Sequence, residues 1–382
     1  MRARTVRWSQ RSGWSDQTTP VPAFTPESGV HLLLAFGPIA APSSAWFADA
    51  ARRWPDAPLV YVSAGGQIDD GAVLEDEVVV TALQFDSVQV RVVVKSGAGI
   101  IPCEELGTAL ATDLASDPAL RHALVFVDGL HVNGAALTRG INRGLPPEVT
   151  LSGGLASDGT NFVTTGVGVN GPPIPGQAVA IGFSGDALVV GTGSAGGWIP
   201  FGPERLVTRA EGPVVYELDE EPALATYKRY LGGLAAELPG SALLFPLSLG
   251  DSDLGGSVVR TILGIDEQAG SLRFAGDVPP GSKVRLMRST NDQLLDGASN
   301  AAASALAAMD GVSPQLLLCI SCIGRRAVLK SRVEEEVEEV LQLAPMSIVS
   351  GYYSNGEIAP GLPHRPAQLH NQTMTITAMG ER

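Results

Sequence analysis

Cysteine is nearly absent: Cys103, Cys319 and Cys322 are the whole supply in 382 residues. A small odd number builds no disulfide framework. Lysine and arginine total 26 against 40 acidic residues, a formal charge of −14. That balance excludes the basic footprint of a nucleic-acid binder and any attraction to an anionic membrane surface. No window approaches eighteen uninterrupted apolar residues, so no membrane span is expected. Residues 1–30 carry charge but lack the apolar centre of a signal peptide, and a cytoplasmic location is the expectation. Catalytic signatures are missing as well. There is no G-x-S-x-G elbow, no HExxH and no Walker loop, and the protein is expected not to be an enzyme.

What the chain has in quantity is glycine, 45 residues, which points to tight turns and close backbone approaches. With 45% hydrophobic and 17% charged residues it reads as globular. Its length predicts two lobes.

The most distinctive stretch is Ser350-Gly351-Tyr352-Tyr353-Ser354-Asn355-Gly356-Glu357-Ile358, followed by Leu369-His370-Asn371-Gln372-Thr373. Glycines, hydroxyls, one acid and a histidine between two apolar runs suit a pocket wall on a strand-to-strand connection. Fainter echoes occur at Ser63-Ala64-Gly65-Gly66-Gln67 and Ser152-Gly153-Gly154 to Asp158.

A unit of strand, helix, strand, glycine turn and strand can be written three times. The first has strands at His31–Phe36 and Leu59–Val62, with Pro42-Ser43-Ser44 capping a helix over Ala45–Trp54. The second has strands at Ala123–Val127 and Val149–Ser152 around a helix at Asn133–Arg143, its signal weakened by Gly134 and Gly140. The third has strands at Gln315–Ile320 and Met346–Val349 around Arg332–Leu343, whose acidic side reads as a solvated face. The intervals are unequal, so this is no solenoid. Strand–helix–strand links favour parallel neighbours, and direct links antiparallel ones. The expected fold is α/β, with mixed sheets built from these repeated units, helices on the outer faces, and two lobes. Glu211-Gly212-Pro213 suggests a boundary between 28–212 and 213–382, and residues 1–29 read as an irregular lead-in or edge strand.

The glycine turns at Gly65-Gly66, Gly153-Gly154 and Gly356 offer backbone N–H groups to an anionic ligand group, or serve as turns needing φ > 0. Tyr352, Tyr353, Glu357, His370 and Asn371 suit a ligand ammonium held by carboxylate and carboxamide under a tyrosine face, or an internal hydrogen-bond network. Arg325 and Arg326 suit a ligand carboxylate, or a salt bridge to the acidic helix. Cys319 and Cys322 have redox or zinc spacing without a second such pair; a buried cysteine followed by a turn cysteine is the structural reading.

Several segments resemble the FIST family of sensory modules: Val215-Tyr216-Glu217-Leu218-Asp219, Ser321-Cys322-Ile323-Gly324-Arg325, Gly351 to Ile358, and Leu369 to Thr373. The turn at Gly65-Gly66 is similar to the family's, with Gln67 where an acid is common, and Gly153-Gly154 to Asp158 is similar to its mid-domain signature. The likeness spans roughly residues 28–380. It implies binding of a small molecule, such as an amino acid, and signalling through a separate kinase or cyclase. Taken with the glycine turns and polar side chains, the expected ligand-binding residues are Gly65, Gly66, Gln67, Gly153, Gly154, Asp158, Arg325, Tyr353, Gly356, Glu357, His370 and Asn371. One alternative is a haem-based nitric-oxide sensor with His370 as axial ligand; His31, His122, His131 and His364 lie outside the family motif. Another is an enzyme with Glu357 and His370 as acid and base. No cofactor is otherwise expected.

Overall fold

The computed structural model describes residues 1–16, 29–40, 43–97, 99, 101–251, 256–361 and 365–382. Pro42, His364 and part of the 1–29 lead-in lie outside them. The α-helices described are α1 (Ser44–Arg53), α2 (Cys103–Ala115), α3 (Gly134–Gly144), α4 (Ala223–Leu231), α5 (Asn291–Ala307), α6 (Ile323–Leu329) and α7 (Glu335–Leu343).

Three apolar strand pairs seed three sheets. Leu32–Gly37 pairs with Leu59–Ser63, Leu120–Val127 with Thr150–Leu155, and Leu316–Cys322 with Ile348–Ser354, all parallel. Parallel pairing follows from the helical crossover inside each pair: α1, α3, and α6 with α7. An antiparallel strand joins each pair, Glu77–Gln84, Gln177–Ser184 and Met374–Glu381. Beyond it lies another, Arg2–Ser9, Gln89–Ser96 and Leu188–Ala195. Arg2–Ser9 is therefore no edge strand; Gly13–Asp16 pairs on its far side.

The strand after each corner leaves its own sheet. Gln67–Asp69 joins the third sheet, Glu357–Pro360 the second and Val167–Val169 the first. This cyclic exchange ties the sheets into a ring around one core, to which Leu34, Val60, Leu124, Ile181, Leu318 and Ile348 contribute. Outer faces are covered by α1 on the first sheet, α2 and α3 on the second, and α5, α6 and α7 on the third. Strands buried on both faces read as continuous apolar runs, which is why the sequence reveals them. Gly140 stands where α3 crosses α2: a Cβ there would lie 1.9 Å from the Glu104 carbonyl oxygen. The glycine that weakens the helical signal is what lets the helices touch.

The fourth sheet runs Gly256–Arg260, Leu247–Asp251, Lys283–Arg288, Ile199–Glu211, Val214–Leu218, Ser271–Phe274 and Ile262–Asp266, with Glu221–Pro222 beside Val214–Leu218. It is covered by α4. The fold is mixed α/β in two lobes, but the second lobe is an insertion between Leu188–Ala195 and α5, within the third unit. Gly212 lies in the hairpin between Ile199–Glu211 and Val214–Leu218, inside that lobe. The acidic side of α7 is not wholly solvated either, since Glu336 is buried.

Candidate functional site

The strand exchange brings the three corners together. Gly65 N donates to Tyr353 O (2.9 Å), Ser157 N to Ser63 O (2.8 Å) and Asn355 N to Leu155 O (3.3 Å), closing a ring. Gly65, Ser157 and Asn355 are therefore structural counterparts, and so are Gly66, Asp158 and Gly356. Ser157 Oγ also donates to Asn355 Oδ1 at 2.7 Å. Gly153-Gly154 lies earlier, inside Thr150–Leu155 rather than on a turn. A Cβ at Gly153 would stand 1.9 Å from Val125 O, and at its counterpart Gly351 1.7 Å from Cys319 O, so these glycines serve strand packing.

Glu357 opens the exchanged strand of the second sheet and is fully buried. Ser354 Oγ donates to its Oε1 (2.5 Å), while Thr373 N (3.2 Å) and Thr373 Oγ1 (2.8 Å) donate to Oε2. Burial pushes its carboxyl up to about 8, against those hydrogen bonds and the Arg325 charge. At neutral pH a protonated Glu357 can donate a hydrogen bond as well as accept. Burial and the Glu357 charge likewise push the nearby Cys322 thiol up, so it stays un-ionised.

Around Glu357 sit buried polar atoms with no hydrogen-bond partner among the described residues: Tyr352 Oη, Asn355 Nδ2, Asn371 Nδ2 and Oδ1, and Gln372 Oε1. Each abuts a glycine. Added Cβ atoms would lie 2.8 Å from Tyr352 Oη at Gly154, 3.0 Å from Asn355 Nδ2 at Gly129, 3.2 Å from Asn371 Nδ2 at Gly356 and 2.5 Å from Gln372 Oε1 at Gly324. An unmet buried donor or acceptor costs about 1–3 kcal/mol, so this cluster calls for a polar occupant, water or ligand. It borders the inserted lobe. Gln372 Nε2 donates to Leu243 O (3.2 Å), Trp198 Nε1 to Gln372 O (2.8 Å) and Arg260 Nη1 to Leu369 O (2.9 Å).

Of the residues singled out by sequence, Gly65, Gly66, Gly154, Gly356, Glu357 and Asn371 gather at or beside this corner. Asp158 turns its carboxylate to the backbone N–H groups of Phe162, Val163 and Thr164 and shapes that loop. Gln67 lies in the third sheet, its amide donating to Leu74 O (2.9 Å) and Glu77 O (3.1 Å). Arg325 and Tyr353 belong to a separate buried network. Arg325 Nη2 holds Glu336 Oε2 at 2.8 Å, Arg325 Nη1 holds Gly196 O at 2.6 Å, and Tyr353 Oη donates to Glu336 Oε1 at 2.6 Å.

His370 is opposite Glu357 in the strand pairing, yet the two side chains bond elsewhere. Its Nε2 donates to Ala359 O at 3.0 Å, and burial holds the ring neutral, down to about 4. That bond leaves Nδ1 as the ring nitrogen open to a haem iron. No cluster of metal-ligating side chains occurs among the described residues. Sequence reading placed Asn355 and Gln372 in the distinctive stretch without singling them out, and missed Arg260. The available signals were Asn355 beside Gly356 and a lone arginine closing an apolar strand.

The FIST N domain matches residues 31–221 and the FIST C domain residues 223–360. The chain belongs to the FIST family. FIST domains are sensory domains thought to bind small ligands in signal transduction. No match was found among curated proteins. Among solved structures, this FIST protein is similar to a chorismatase at 12% identity and a TM-score of 0.38, over 99% of this chain and 98% of that one. It is also similar to a cyanuric acid hydrolase at 9% identity and a TM-score of 0.30, over 99% of both chains. Cyanuric acid hydrolase from A. caulinodans matches at 10% identity and a TM-score of 0.20, over 77% of this chain and 99% of that one. These matches correct the expectation that the protein is not an enzyme. The solved structures are of enzymes, and likeness at this level carries no reaction to this chain. Among the described residues no helix is long and apolar enough to cross a membrane.

Proposed function

We propose that this FIST protein is a cytoplasmic sensor that binds a small polar molecule, an amino acid or close relative, where the corner ring meets the inserted lobe. The observation that carries the reading is Asn371. It is fully buried with both amide atoms unpartnered among the described residues, beside Glu357, Tyr352, Asn355 and Gln372. A ligand that meets these groups recovers the free energy that they otherwise forfeit. The same segment, 369–373, holds the inserted lobe through Leu369 and Gln372. Filling the site thus biases how the lobe docks, and a separate partner such as a kinase or cyclase reads that bias.

Thermal-shift measurements with the twenty protein amino acids and related metabolites test this reading. At least one compound should raise Tm of the wild type by several degrees and leave Asn371→Leu unmoved. A panel with no stabilising member, or equal shifts in both proteins, overturns it.

A further inference from the structure

We infer that the ligand carries a carboxylate and that Arg260, on the inserted lobe, receives it. The inference rests on the sensor reading above and adds the chemical class of the ligand and the lobe that reads it.

Arg260 ends the strand Gly256–Arg260 and is only 6% exposed. A buried guanidinium ordinarily has a carboxylate against it, because an uncompensated charge in the interior is costly. No described carboxylate forms an ion pair with Arg260. Its partners are main-chain carbonyls: Nη1 donates to Leu369 O (2.9 Å) and Val259 O (3.4 Å), and Nε to Asp277 O (3.5 Å). Nη2 makes no hydrogen bond to a described residue.

Among the described residues, the acidic side chain whose charge acts on it, Asp277, is engaged elsewhere. Asn133 Nδ2 donates to Asp277 Oδ1 at 2.9 Å and Arg139 Nη1 to Oδ2 at 3.2 Å. Burial pulls the Arg260 guanidinium down to about 10, so it remains charged at neutral pH. Its field reaches His370 and helps keep that ring neutral. The carbonyl it holds, Leu369 O, is two residues from the unpartnered amide of Asn371. A positive edge on one lobe and a free amide on the other suit a ligand with a carboxylate at one end. One charge and one open edge match a single carboxylate better than a phosphate dianion.

Isothermal titration calorimetry on the full chain, with the twenty amino acids, their C-terminal amides and inorganic phosphate, tests the inference. The best-binding acid should bind at least about tenfold tighter than its amide, as expected for one charged hydrogen-bonded contact. Arg260→Met should bring the two within about twofold. Equal binding of acid and amide by the wild type, tightest binding by phosphate, or discrimination retained in Arg260→Met overturns it. Should Arg260→Met fail to fold, Arg260→Lys takes its place. It keeps the charge but cannot hold the carbonyls and a carboxylate together, and should lose most of the discrimination. The wild-type acid-to-amide ratio decides in either case. Binding of amides alone removes the carboxylate and leaves the sensor reading standing; binding of neither series removes both.

Discussion

Replacing Glu357 with glutamine should change how stability depends on pH. In the folded protein burial pushes the carboxyl up from 4.5 to about 8. The folded state therefore holds a proton that the unfolded chain releases above its ordinary pKa. With more protons bound in the folded state, stability falls as pH rises. The loss begins near pH 4.5, runs to about pH 8 and then levels off. At about 1.4 kcal/mol per pH unit, the ceiling is roughly 5 kcal/mol. Glutamine has no proton to lose and can keep both contacts, accepting from Thr373 and donating to Ser354. Urea unfolding of both proteins at pH 5, 6.5 and 8 gives the test. His122 and His370, pulled down by burial to about 3 and about 4, cost stability below pH 6.5 in both proteins and cancel in the difference. Glu357→Gln should gain on the wild type by a few kcal/mol between pH 5 and 8. Parallel pH profiles would refute the buried, protonated carboxyl.

Glu336→Ala strands the buried Arg325 charge and should cost about 3–5 kcal/mol in urea unfolding; a loss under about 1 kcal/mol contradicts a desolvated pair. Gly351→Ala puts a Cβ 1.7 Å from Cys319 O and should cost roughly 3 kcal/mol or more, read as a collapse of Tm. Ser157→Ala removes the hydroxyl bond to Asn355 and should cost about 1 kcal/mol, with the corner ring's backbone bonds intact; no change in Tm would show that the bond contributes nothing.

The repeated unit was legible because its strands are buried on both faces and its crossovers are helical, so the apolar runs and caps stand out. Its cyclic exchange was not. Gln67–Asp69, Val167–Val169 and Glu357–Pro360 are short, and a three- or four-residue strand carries no mark of the sheet it joins. The corner register was misread at Gly153-Gly154, because glycine composition was matched where position decides: Ser157 and Asp158 occupy the places of Gly65 and Gly66. The inserted lobe was hidden because Gly212-Pro213 punctuates a hairpin as strongly as it would a domain boundary. At the site, Glu357 and Asn371 were visible as polar residues amid apolar runs. Arg325 was visible too, and a salt bridge to the acidic helix was one of the readings open to it; the fold adds that Glu336 of α7 is the partner. Arg260 comes from a distant segment, and that no described carboxylate forms an ion pair with it is a three-dimensional fact.

The most direct test of the ligand site is a crystal structure of the wild-type protein with the compound that stabilises it most. The expected result is density in contact with Asn371, between segment 369–373 and the inserted lobe. Density confined to another place, such as the groove of about 400 Å³ beside Trp54 and Phe47, with ordered water alone on Asn371, would contradict it.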